Sequence, residues 1–269
     1  MRIVVCVKLV PDATAGRSFE PDHTVDRVSV DGLLSELDEY AVEEVLRIRD
    51  AGSGDGEVIA VTMGPQAAAD AVRKSLQMGA DSGVHVLDES IGGSDAPATS
   101  LVLAAAVRKV GADIGPVDLV VCGMASTDGT MGVVPAMLAE RLGLPQLTYA
   151  NEVAVDESSG TYRVQVRRDS DLATETVEAV APLVVSVTDQ INEPRYPSFK
   201  GIMAAKKKPV QTWSLSDVGV DPSEVGLSAA WTAVVSAEAR PPRSAGTVVT
   251  DEGDGGTRLA EYLVEKKFV

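Results

Sequence analysis

The run Pro116-Val117-Asp118-Leu119-Val120-Val121-Cys122 leads into the polar loop Gly123-Met124-Ala125-Ser126-Thr127-Asp128-Gly129-Thr130-Met131-Gly132, and a helical pattern from about Val133 to Leu142 follows. A short, β-branched run without polar interruption predicts a strand buried on both faces. The same rhythm recurs upstream. Arg2 to Val10 (RIVVCVKLV) reads as a strand closed by the turn signal Pro11-Asp12, and Glu57 to Thr62 (EVIAVT) reads as a second central strand. Between them, Val42, Val45, Leu46 and Ile48 give Asp38 to Arg49 one apolar helical face. Gly64-Pro65 opens a helix that runs to about Met78, with proline where its missing N–H costs nothing. Gly83 to Leu87 is a short strand, and Ser94-Asp95 offers caps for a helix from Ala96 to Val110. This alternation predicts an α/β fold with a doubly wound, mostly parallel sheet covered on both faces.

After Pro145 the pattern changes. Gln146 to Val155, Thr161 to Arg168 and Thr174 to Val180 read as three antiparallel strands, an added segment beside the main sheet. Leu183 to Val187 (LVVSV) is again a buried strand, and Thr188 to Lys208 is polar and punctuated by proline. Residues 1–208 therefore form the α/β domain. Residues 209–269, which include the acidic stretch Asp251 to Gly256 and a last helix from Thr257 to Glu265, carry too little core periodicity to fold alone. They read as an extended arm that needs another surface.

Composition narrows the function. The chain has 269 residues, 45% apolar, with a formal charge of −16 from 24 basic and 40 acidic residues. Such an excess of carboxylates repels phosphate backbones and anionic headgroups, which argues against nucleic acid and against docking on a membrane. No apolar stretch approaches the roughly 18 residues of a membrane span, and Met1 runs directly into a strand. Cys6 and Cys122 lie inside apolar runs and read as buried free thiols; His23 and His85 stand far apart, so a His/Cys metal cluster is not expected. The expectation is a soluble, cytoplasmic protein.

Two stretches carry candidate chemistry. In an open parallel sheet, ligands sit at the carboxyl ends of the strands, where the loop Cys6 to Asp12, the loop Met63-Gly64-Pro65 after Thr62 and the loop after Val121 should meet. The Gly123 loop brings three glycines, three hydroxyls and one carboxylate to a helix start, whose backbone N–H groups are free to bind an anion. It is neither a Walker motif nor a GxGxxG fingerprint, and a plain capped turn reads equally well. The second stretch is Asn192-Glu193-Pro194-Arg195-Tyr196-Pro197-Ser198-Phe199-Lys200-Gly201-Ile202-Met203-Ala204-Ala205-Lys206-Lys207-Lys208. Phe199, Ile202 and Met203 on a polar, proline-restricted stem suit a docking anchor, unless they fold back to cap the sheet. The lysines, taken alone, read as a solvated face.

That second stretch resembles the most distinctive segment of electron transfer flavoprotein β subunits, the bacterial FixA-like proteins included. Val5 to Asp12 (VCVKLVPD), Ala41-Val42-Glu43-Glu44, Met63-Gly64-Pro65, Met78-Gly79-Ala80-Asp81, the Gly123 loop and Gly143-Leu144-Pro145-Gln146 match in order, and the resemblance thins after about Val210. It implies a sheet of the adenine-nucleotide-binding type and a larger α subunit that holds the redox-active FAD and is embraced by the arm. It also implies a structural AMP in this subunit, contacted by Cys6, Ser35, Met63 and the loop Gly123, Ala125, Ser126, Thr127, Asp128, Gly129, Thr130, Met131, Gly132, Val133 and Val134. Residues 191–208 would be a recognition loop for dehydrogenases such as acyl-CoA dehydrogenases. Asn192, Glu193, Pro194, Arg195, Tyr196, Ile202 and Met203 would surround the anchor Phe199, where leucine is common, with Lys206 and Lys207 beside it.

Two further departures stand out. Gly132, Val133 and Val134 occupy positions where many relatives carry polar side chains, which argues against a second FAD and electron bifurcation, and Ala13 replaces a tyrosine that some members place near the flavin. With no paired nucleophile and base in the sequence, the chain reads as a carrier subunit that performs no bond chemistry, passing electrons from dehydrogenases to a quinone-linked or other acceptor. The rival readings are a nucleotide-hydrolysing α/β enzyme using the Gly123 loop and a stand-alone nucleotide-binding module.

Overall fold

The computed structural model describes all residues except 17, 53–55, 159, 239–240, 242–245 and 247. It divides into two compact units, Met1–Val235 and Ser236–Val269. The first contains a seven-stranded sheet of β1 (Arg2–Cys6), β4 (Glu57–Met63), β5 (Ser82–Val86), β6 (Leu119–Gly123), β7 (Gln146–Ala150), β11 (Leu183–Val187) and β12 (Val210–Trp213). Their order is β12-β5-β4-β1-β6-β11-β7, and every pairing is parallel. The chain builds outward from β1 through β4 to β5, then returns to lay β6 on the other side of β1. That reversal is the switch point at which loops diverge and leave a crevice.

Period-2 alternation gives the sheet two apolar faces. Ile3 and Val5 of β1, Val58 and Ala60 of β4, and Leu119 and Val121 of β6 face α1 (Glu36–Ala51) and α2 (Ala69–Met78). Val4, Cys6, Ile59, Val61, Val120 and Cys122 face α3 (Ala96–Asp113) and α4 (Val134–Leu142). Asp95 caps α3 by accepting from the Ala98 N–H at 3.1 Å, as the sequence anticipates. Both cysteines are buried and free.

Several elements differ from the sequence reading. The first strand ends at Cys6, and Leu9–Pro11 (β2) turns away to pair antiparallel with Gly32–Leu34 (β3). Gln146 to Val155 is two strands rather than one. Leu147 and Ala150 both face the core, so the alternation slips at Tyr149, whose φ is +58°, and the chain leaves the main sheet after Ala150. Beyond Asn151 it continues as β8 (Glu152–Ser158), which forms the antiparallel sheet β10-β9-β8 with β9 (Thr161–Asp169) and β10 (Thr174–Val180). The proline-punctuated stretch contains a short helix, α5 (Phe199–Ala205), capped by Ser198. Val210–Trp213 adds an edge strand beside β5, and Trp213, Leu215, Val220 and Val225 are buried on the α3 face. A single turn, α6 (Leu215–Val218), follows, and the second unit contains α7 (Gly255–Glu265).

Gly83 of β5 lets α2 lie close against the sheet: a Cβ there would overlap Val72 Cγ1. Gly83→Ala should therefore push α2 off the sheet and cost about 1–3 kcal/mol, read as a lower midpoint in denaturant unfolding. An unchanged midpoint would contradict this packing.

Candidate functional site

The main crevice, of about 1360 Å³, opens at the carboxyl ends of β1, β4, β5 and β6. A smaller cavity of about 260 Å³ lies at the opposite, amino ends, beside Met1 and Gly56. The crevice wall includes Cys6, Met63, Gly123, Ala125, Ser126, Gly129, Met131, Gly132 and Val134. Nine of the residues singled out from the sequence thus meet in one place. Thr127, Asp128, Thr130 and Val133 belong to the same loop but lie outside the wall. Ser35 is fully buried at the N-cap of α1, and its Oγ has no hydrogen-bond partner.

Helical starts border the crevice, among them the turn Gln66–Ala68 after β4, the turn Glu89–Ile91 after β5, α3 and α4. Asp95 already caps α3. The N-cap of α4 is Val133, which has no side-chain acceptor, so the first N–H groups of that helix are not satisfied by a capping side chain. An uncapped helix start beside a glycine-rich loop, over a floor of Cys6, Cys122 and Val7, suits the phosphate of a nucleotide whose base lies on apolar surface. A hydrogen bond with Cys6, together with burial, pushes the Cys122 thiol well up, so the floor stays neutral there.

Three charged residues that the sequence does not mark organise this end of the crevice. Asp38 of α1 accepts the Lys8 N–H at 2.9 Å, and its Oδ1 lies 2.7 Å from where a Gly123 Cβ would stand, so only glycine lets β6 end so close. Burial raises the Asp38 carboxyl to about 7, against the opposing pull of the Lys8 and Gly123 N–H groups and the Lys8 charge. Asp128 is almost wholly covered yet moves the other way. Burial would raise it, but Lys8 Nζ at 2.8 Å and Arg27 at 2.6 Å, with help from Ser126, hold it well below the usual carboxylate range. Arg27 comes from the hairpin that β2 and β3 bracket, residues 12–31 apart from residue 17, and it also donates to the Leu9 carbonyl at 3.2 Å.

The second candidate segment divides sharply. Asn192 Nδ2 donates to the Tyr40 carbonyl at 3.1 Å and to Glu44 at 3.0 Å. The Arg195 guanidinium grips Glu43 through two nitrogens, at 2.7 and 3.0 Å, and its backbone N–H donates to the same carboxylate at 3.1 Å. These bonds tie the segment to α1, through the Glu43-Glu44 pair noted in the sequence. Burial raises the Glu44 carboxyl despite the Asn192 bond. Glu193 is exposed and Pro194 half-buried. Tyr196 is 94% exposed and Phe199 81%, Ile202 and Met203 are exposed on α5, and Lys206 and Lys207 are exposed just past its end. Lys208 turns inward instead and donates to the Leu76 carbonyl at 3.2 Å, near the end of α2.

The fold and crevice thus define a class: an α/β protein with a glycine-lined crevice at its switch point and an apolar-tipped segment tied along one helix. Residues 22–218 match the family model described as "Electron transfer flavoprotein domain". Over 99% of both chains, the protein is 45% identical to the electron transfer flavoprotein subunit beta of Mycobacterium leprae. It is 35% identical to the caffeyl-CoA reductase-Etf complex subunit CarD of Acetobacterium woodii, covering 99% of this chain and 97% of that one. It is also 35% identical to protein FixA of Azorhizobium caulinodans, covering 100% and 94%. The chain belongs to the electron transfer flavoprotein β-subunit family, and its role is that of a subunit of an electron carrier. No helix among the described residues is long and apolar enough to cross a membrane.

The two buried acids have opposite linkage to pH. Stability from Asp128 is present above the ordinary carboxylate value near 4 and is lost as pH falls. For Asp38, whose folded value is raised, stability is complete below about 4 and is lost as pH rises through about 7. Infrared difference spectra should therefore show a protonated carboxyl band that titrates near pH 7 and is absent from Asp38→Asn. A wild-type spectrum with no such band above pH 5 or so would contradict the assignment.

Proposed function

We propose that the chain is the β subunit of a heterodimeric electron transfer flavoprotein, that it holds a structural AMP in the crevice, and that residues 191–208 dock dehydrogenases of the acyl-CoA dehydrogenase type. FAD, bound mainly by the α subunit, supplies the redox chemistry between those donors and a quinone-linked or other acceptor. This chain supplies the platform. The observation that carries the docking role is the opposite treatment of neighbours within one segment. Asn192 and Arg195 are fastened to α1, while Tyr196 and Phe199 stand in solvent beside Ile202 and Met203. Exposing large apolar groups is costly unless a partner covers them, and a rigid stem reduces the entropy lost when one does.

AMP is supported by the uncapped start of α4, the glycine-rich wall and the apolar floor. Cys6, Met63, Gly123, Ala125, Ser126, Gly129, Met131, Gly132 and Val134 would border the nucleotide. The hydrolase alternative fares worse on the same geometry. Its natural base, Asp128, is locked between two cations that hold its carboxyl well below the usual range, which leaves it too weak a base to take a proton effectively near neutral pH. A subunit of this kind works in the cytoplasm beside its α partner, which the C-terminal arm would embrace. Leu259, Tyr262 and Val264 of α7 are exposed apolar groups suited to such an interface.

Phe199→Ala should slow reduction of the purified heterodimer by an acyl-CoA-type dehydrogenase on the order of tenfold or more, as loss of a central aromatic anchor does, with FAD content unchanged. Equal rates for the variant and the parent would remove the docking role from this segment.

A further inference from the structure

Lys8 and Arg27 have no part in the family contacts set out above, yet both line the crevice. Their side chains are 41% and 36% exposed, whereas Asp128, which joins them, is 2% exposed. The carboxylate thus sits behind two cations that face the cavity. One of its oxygens meets Lys8 Nζ at 2.8 Å and the other meets Arg27 at 2.6 Å. Each cation has a second tether: Lys8 Nζ to Ser126 Oγ at 3.3 Å, and Arg27 to the Leu9 carbonyl at 3.2 Å. Both are therefore held in place with donors to spare, since an ammonium carries three and a guanidinium five.

At this bridge two positive charges meet one negative, leaving a local positive excess in a chain of formal charge −16. Asp38, beneath Lys8, retains its proton up to about pH 7 and adds little opposing charge below that. Glu20 borders the far turn of the hairpin, and Asp88, Glu89 and Asp95 line the crevice beside β5 and α3. The cavity is thus polarised, and an anionic group within it is drawn toward Lys8 and Arg27 rather than toward these carboxylates.

We propose that Lys8 and Arg27, braced by Asp128, form a clamp for the phosphate of the nucleotide in the crevice, and that Arg27 thereby fastens the 12–31 hairpin over it. The proposal rests on the adenine-nucleotide reading above and assigns Asp128 the part of a brace rather than a ligand. A dianionic phosphate would add acceptors to cations already positioned, which is where charge-assisted hydrogen bonds are strongest.

The test separates the phosphate from the rest of the nucleotide. Equilibrium binding of AMP and of adenosine would be measured on the heterodimer after dialysis into nucleotide-free buffer. Arg27→Gln and Lys8→Met should each weaken AMP about tenfold or more and leave adenosine unchanged, so the parent's preference for AMP collapses. Arg27 lies on an exposed hairpin, so its variant keeps the test usable if Lys8→Met fails to fold. Parallel loss of AMP and adenosine, or an unchanged preference, would overturn the clamp. A parent that binds neither compound would instead overturn the nucleotide reading, and the clamp with it.

Discussion

One buried carboxyl group ties together the three pieces of chain that make the crevice. Asp38 sits at the start of α1, accepts the N–H of Lys8 just beyond β1, and lies against Gly123 where β6 ends. β1 and β6 are neighbours on either side of the point where the chain reverses its order across the sheet, so their loops would otherwise separate. Placing an acid there is costly, and the group answers by holding its proton to about 7. The backbone that follows β1 is thereby fixed, and with it the side chain of Lys8 and the direction in which the 12–31 hairpin departs. Gly123 is required at this position by close approach rather than by unusual torsion.

The same helix serves a second surface. The start of α1 carries Asp38 under the crevice, and its middle carries Glu43 and Glu44, which hold Arg195 and Asn192. A change at either site therefore meets the other through one rigid element. Here the exposed apolar groups stand on α5 and its stem, whereas the crevice opens at the ends of the strands. The two surfaces thus occupy separate places on one scaffold.

Much of the fold was legible in the sequence because central parallel strands are apolar on both faces: Leu119–Gly123 and Leu183–Val187 announce themselves. Edges and breaks were not. β12 alternates Val210, Gln211, Thr212 and Trp213 with only the last buried, a pattern no different from a loop. The break at Tyr149 leaves no compositional trace, since residues on both sides of it suit a strand. α5 is seven residues long, too short for a helical period to declare itself after two prolines. At the site, loop residues could be found because glycines and hydroxyls cluster locally. Lys8, Arg27 and Asp38 could not, because their meaning lies in contacts with residues up to 120 positions away. The Glu43–Arg195 pair is of the same kind: both halves belong to recognisable stretches, but nothing local says that they meet.

The central claim is that this chain works as half of a two-subunit flavoprotein with an adenylate in its crevice. It is tested most directly by expressing the full chain, and a form ending at Val235, together with a flavin-bearing large subunit, then weighing the purified species and any nucleotide released on unfolding. The account predicts a one-to-one complex for the full chain that yields FAD and AMP, and loss of the complex for the shortened form. A full-length chain that purifies as a stable monomer, takes up no large subunit and releases no adenine nucleotide would contradict it.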